Sequence, residues 1–118
     1  MPTAAPAPAN PEDAKLITLA RATRSRTGAA EGAAVRDRTG RTYTAATVEL
    51  SSLRLSALQL AVAMAVSSGA DGLEAAALVS EALEPTAPDA AVLRDLAGAE
   101  VALLLADPDG APRPAART

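Results

Sequence analysis

The sequence predicts a small α/β domain on a mixed sheet, and three features predict it. A turn-rich β-type segment spans residues 31–48, a continuous apolar run of strand length spans Leu73 to Ser80, and helical patterns alternate with them. The 118 residues suit one domain with one hydrophobic core.

Residues 1–10 open the chain with a Pro/Ala stretch that cannot bury a face, so they are expected to be disordered. Asn10-Pro11-Glu12-Asp13 then reads as a helix start: an N-cap, a proline at the first helical position and two carboxylates at the positive end of the dipole. Leu16, Leu19, Ala20 and Thr23 form its stripe, Arg21, Arg24 and Arg26 suit its C-terminus, and Gly28 suits its stop. Glu31 to Asp37 and Thr42 to Val48 read as an antiparallel pair around Arg38-Thr39-Gly40-Arg41.

From Leu55 to Ser68 the chain turns helical and is apolar almost all round, which predicts burial on more than one side, by its own sheet and by a neighbour. Leu73 to Ser80 fits a central strand covered on both faces. After a loop, Pro88 to Ala97 is a helix with Val92, Leu93 and Leu96 inward, and Val101 to Ala106 is a strand. This β-α-β alternation implies parallel pairing through a right-handed crossover. The domain is expected to span 11–107, with 108–118 as a mobile tail.

Nearly half the chain is apolar, yet Tyr43 is the sole aromatic residue, so Ala, Leu and Val must build the core. Such a chain gains by forming a homo-oligomer. Cysteine and histidine are absent, which removes disulfides, thiolate nucleophiles, imidazole catalysis and every soft metal ligand but two methionines. No cofactor and no metal are expected. No run approaches the roughly 20 apolar residues of a membrane span, and the start lacks a charged signal-peptide n-region, so a cytoplasmic location without a membrane partner is expected. Met1 to Arg54 carries eight basic and five acidic residues against three and nine beyond it. Solvated or complementary faces account for that bias, and without stacking aromatics nucleic acid is not the expected partner.

Local patterns resemble the cytidine deaminase family of zinc-dependent nucleoside deaminases. Gly32-Ala33-Ala34-Val35 and the Gly40-Arg41-Thr42-Tyr43-Thr44 turn are similar to the family's V-G-A-A strand and D-G-R-I-Y-T hairpin. Thr47-Val48-Glu49 falls where the family has N-V-E, and the stretch from Pro85 to Asp95 is similar to P-C-G-A-C-R-Q-V-L-R-E. The short interval from Thr47 to Ser56 resembles the blasticidin-S deaminase branch and places Ser56-Ala57-Leu58 on C-A-E. The resemblance covers Leu16 to Asp107. It implies a three-layer fold, a mixed sheet of four to five strands with helices on both faces, and a dimer or tetramer.

The resemblance also implies chemistry that these residues lack. The family's zinc is held by thiolates at the starts of two helices, and a glutamate carries the proton. Here the ligand positions are Ser56, Thr86 and Asp89, and the glutamate position is Leu58, which cannot carry a proton. Thr86-x-x-Asp89 instead has the form of a capping box, and Ser56 can cap the central helix. Losing a structural zinc forfeits on the order of 10 kcal/mol against about 1 kcal/mol per cap, so burial of Leu58 and self-association must supply the rest. A hard cation on the three oxygens is a weaker account, since a single carboxylate is thin charge for calcium or magnesium.

Thr47 and Glu49 are left as candidates for substrate binding by resemblance, with a solvated surface carboxylate as the plain alternative for Glu49. The aromatic residue that the family sets against the pyrimidine is replaced by Ala29, Ala30 and Glu31. The expected function is a catalytically inactive protein of this fold, serving as a structural or interaction module. The alternatives are a nucleoside or nucleotide sensor and a divergent deaminase.

Overall fold

In the computed structural model, which describes residue 8, residues 10–98 and residues 101–117, the fold begins at Asn10. Its side chain accepts the Glu12 N–H at 2.8 Å, Pro11 takes the first helical position, and α1 runs over Pro11–Thr27. Leu16, Ile17, Ala20 and Thr23 are its buried stripe, with Leu19 at the margin. The disorder expected of the first residues falls on 1–7 and 9, outside the described ones.

Strands β1 (Gly32–Asp37) and β2 (Thr42–Ala46) form the expected antiparallel hairpin, closed at Gly40 with φ 91°, a conformation that favours glycine. The second strand stops before the expected Val48. The Thr47 hydroxyl accepts the Glu31 N–H at 3.1 Å and the Thr47 N–H donates to the Glu31 carbonyl at 3.3 Å, which ends the ladder. Val48–Glu49 (β3) then pairs with Arg54–Leu55 (β4) as a separate two-stranded sheet. Helix α2 covers Ala57–Ser67, β5 Leu73–Val79, α3 Ala87–Ala97 and β6 Ala102–Ala106. β5 and β6 are parallel, as the β-α-β alternation requires.

The stretch expected as a mobile tail carries a seventh strand, β7 (Pro112–Arg117), antiparallel to β6. Asp107 makes the turn: its Oδ1 accepts the Asp109 and Ala111 N–H groups, each at 2.9 Å, so the chain reverses onto the sheet. The main sheet has the order β2-β1-β5-β6-β7. α1 covers one face, over Ala34, Ala75, Ala77, Val79 and Ala106. α2 and α3 cover the other, over Ala33, Val35, Ala45, Ala76, Leu78, Leu103 and Leu105. This is the three-layer mixed α/β fold that the sequence predicts.

The helices bury their apolar residues to different depths. α2 buries one face only, through Ala57, Leu58, Ala61, Val62 and Ala65, while Met64 and Val66 are 38% and 53% exposed. In α3, Leu93 is fully buried, and Val92 and Leu96 only flank the core. Small residues set the spacing on the α1 side. A Cβ on Gly32 would lie 2.1 Å from the Ala20 carbonyl oxygen, so α1 rests on bare backbone there. Arg36, buried beneath α1, is fixed by Asp13 and Glu74, each at 2.9 Å.

Asp37 locks the hairpin. Its Oδ1 accepts from the Thr39 N–H and hydroxyl and from the Arg41 N–H at 2.8 to 3.0 Å, and its Oδ2 accepts from the Tyr43 hydroxyl at 2.9 Å. Burial works to raise this carboxyl's pKa, but the donors from Thr39, Tyr43 and Arg41 together hold it below the usual carboxylate value.

Two outcomes follow from these contacts. Gly32→Ala is expected to lose about 3 kcal/mol of stability in urea unfolding, because the new methyl meets backbone that cannot rotate away. A carboxyl with a depressed folded pKa contributes stability at neutral pH that is lost as pH falls through the folded value. Removing the hydroxyl donor with Tyr43→Phe should therefore raise the pH of acid unfolding measured by circular dichroism.

Candidate functional site

Two helices begin at the same place on the α2–α3 side of the sheet. Each starts with orphan N–H groups and a partial positive charge, and both starts are met by side-chain oxygens. At α2, Ser56 is the N-cap: its Oγ accepts the Gln59 N–H at 3.1 Å and the Gln59 Oε1 accepts the Ser56 N–H at 2.9 Å, a complete capping box. At α3, the Thr86 Oγ1 accepts the Asp89 N–H at 3.2 Å and Pro88 lies in the first turn, but the Asp89 carboxyl turns to Ser56 instead of back to the Thr86 N–H, so the capping box expected there is only half formed.

The two caps are joined. The Ser56 hydroxyl donates to the Asp89 Oδ1 at 2.5 Å, across 33 positions of sequence. Hydroxyl-to-carboxyl bonds are among the shorter hydrogen bonds in proteins. Asp89 is 1% exposed, and its Oδ2 has no hydrogen-bond partner among the described residues. The carboxylate therefore sits, almost dry, in the first turn of α3 and against the cap of α2, where the helix dipoles favour negative charge.

Of the four positions read as degenerate, Ser56, Thr86 and Asp89 form this junction. Leu58, the second residue of α2, is fully buried in the apolar cluster beneath the junction. Thr47 and Glu49 lie on the other side of Ser56. With Glu31, Arg54, Ser56 and Gln59 they line a groove of about 360 Å³, in which Glu49 and Arg54 stand opposite each other on the small hairpin. Gln59 is the site residue that sequence reasoning passed over, although Ser56-x-x-Gln59 carries the capping-box pattern openly.

The zinc that the resemblance implies does not fit these residues. Zinc asks for thiolate, imidazole or carboxylate donors, and the described residues contain no cluster of three or more His, Cys, Asp or Glu. The Ser56 hydroxyl is already committed to a cap on one side and to Asp89 on the other, and Thr86 to its own cap. What the arrangement does chemically is meet two helix ends with side-chain oxygens. No described helix is long and apolar enough to cross a membrane.

A family model described as cytidine deaminase-like matches residues 9–110. Among solved structures, the chain is similar to the cytidine deaminase from Burkholderia pseudomallei, with 23% identity over 87% of this chain and 90% of that one and a TM-score of 0.77. It is similar to the cytidine deaminase from Mycobacterium tuberculosis, with 31% identity over 84% of this chain and 86% of that one and a TM-score of 0.65. The corresponding enzyme from Mycobacterium leprae gives 23% identity over 87% and 90%, with a TM-score of 0.66. None of the curated proteins matches.

The junction has a measurable signature. Ser56→Ala should cost about 3 kcal/mol in urea unfolding, more than the roughly 1 kcal/mol of an ordinary N-cap, because it also strips a buried carboxylate of its donor. Ser56→Ala combined with Asp89→Ala should cost less than the sum of the two single changes.

Proposed function

The chain belongs to the cytidine deaminase-like family, and from that premise we propose that it is a member that does not deaminate, acting as a structural or protein-interaction module. The observation that carries this reading is the Ser56–Asp89 hydrogen bond above a buried Leu58. Hydrolytic deamination of cytosine needs an activated water and a group that moves a proton between that water and the base. In this chain the position of the proton carrier is an aliphatic side chain inside the core, and the oxygens at the ligand positions are consumed by caps. The region has been given over to holding α2 against α3.

An interaction role is supported by the surface. Leu50, Leu53, Met64, Val66 and Leu83 are all exposed, and α2 carries no charged residue from Ala57 to Ser67. A solvent-facing helix without charge is suited to contact with protein, and further copies of this chain are the partner this reading names.

The groove favours a second reading, in which a nucleoside still binds without reacting. Thr47, Glu49, Ser56 and Gln59 all border it, and Glu49 is exposed and able to accept from ribose hydroxyls.

Both readings meet the same pair of measurements. With zinc supplied, cytidine, deoxycytidine and blasticidin S are expected to show no turnover above a protein-free blank, and turnover abolished by Leu58→Arg would overturn the first reading. A thermal shift with cytidine that disappears in Glu49→Ala would establish the second; no shift with any nucleoside leaves the interaction module.

A further inference from the structure

The two edges of the five-stranded sheet are finished differently. β7 carries Pro112 and Pro114, which have no N–H to offer another strand. β2, at the opposite edge, contains neither proline nor charge from Thr42 to Ala46. Two bonds bracket its ladder: the Asp37 N–H donates to the Arg41 carbonyl at 2.9 Å, and the Thr47 N–H to the Glu31 carbonyl at 3.3 Å. With the register Val35↔Tyr43 and Ala33↔Ala45, the backbone of Tyr43 and Ala45 faces β1, and that of Thr42, Thr44 and Ala46 faces away. Among the described residues nothing pairs with those outward N–H and C=O groups.

This side of β2 opens into a groove of about 560 Å³. The last turn of α1, with Arg26 and Thr27, lines one wall, and Leu60 of α2 lines the other. α1 and α2 cover opposite faces of the sheet, so a bare strand edge lies between two helices. Ala45 packs in the cluster on the α2 side, and by alternation Thr44 and Ala46 point to the α1 side. The charged groups on the lining are Arg26 and, past the end of β2, Glu49. Arg26 has no ion pair among the described residues.

We propose that β2 takes up an extended segment of another protein as a sixth strand of the sheet, and that acidic and apolar residues alternate along that segment. A residue opposite Thr44 or Ala46 shares their face and meets Arg26 on α1, while its neighbours in the segment face Leu60 on α2. Main-chain bonds to Thr44 and Ala46 supply affinity, and the two walls choose the side chains. The same walls select against a second copy of this chain, whose β2 brings an α1 and an α2 of its own to the helices already there. The inference goes beyond the partner named above and rests on the interaction-module reading; its readout is peptide binding and amide exchange rather than turnover, so the two fail separately.

A short labelled peptide of alternating valine and glutamate, blocked at both ends, is titrated with the full chain and followed by fluorescence anisotropy and amide hydrogen exchange. A peptide with lysine in place of glutamate is the control. Saturable binding of the glutamate peptide is expected, with the Thr44 and Ala46 amides gaining protection in the complex. The lysine peptide should bind about tenfold more weakly, and Arg26→Glu should reverse that preference. Thr44→Pro removes an outward donor and should weaken binding about tenfold, with circular dichroism unchanged. Should that variant misfold, exchange on the unaltered chain decides. No saturable binding, equal binding of the two peptides, or binding that leaves the Thr44 and Ala46 amides unprotected overturns the proposal. So does protection of those amides that grows with protein concentration in the absence of peptide, which would make a second copy the occupant.

Discussion

Two helix N-termini aimed at one point are an electrostatic problem before they are a functional site. Positive dipole ends and undonated N–H groups collect there, and something negative or hydrogen-bonding has to answer them. This chain answers with oxygen: a serine–glutamine box on one helix, a threonine cap on the other, and the Ser56–Asp89 bond between them. The rest of the α2–α3 layer depends on that answer. Leu58 and Leu93 lie fully buried in one apolar cluster beneath the two helix starts.

The other layer follows a different rule. With a single aromatic residue, the core cannot fill space with large rings, so it closes distances instead. α1 lies on Gly32 without room for a methyl group, and alanines from β1, β5 and β6 line the contact. Small side chains bury little area each, and the return comes from dense backbone approach. Arg36 is the exception on this face, a buried cation held between α1 and β5.

Much of the fold was legible because the signals were local. Asn10-Pro11, Gly28, Gly40 and Thr86-x-x-Asp89 each announce a cap or a turn within a few residues, and each does so in the structure. The cost of reading locally shows in the site. That Ser56 and Asp89 each suit a helix start was visible, but that one hydroxyl serves both helices depends on contact across 33 positions, which no window detects. The seventh strand was missed for another reason: Asp107-Pro108-Asp109-Gly110 is a sound turn signal, but the prolines after it argue against a strand unless that strand lies at an edge. The apolar all-round pattern of α2 pointed to its own sheet and to a neighbour; within the chain the helix packs on the sheet and on α3, and Met64 and Val66 stay exposed.

β7 reaches further than its own edge. The Arg113 guanidinium donates to the Ser80 and Ala82 carbonyls at 2.7 and 2.6 Å, and so grips the loop that leads from β5 towards Thr86. During synthesis this grip forms later than the loop it holds, since Arg113 follows Ala82 by 31 positions. The approach to α3 is thus held in part from β7, and a change at Arg113 would be felt at the opposite end of that loop.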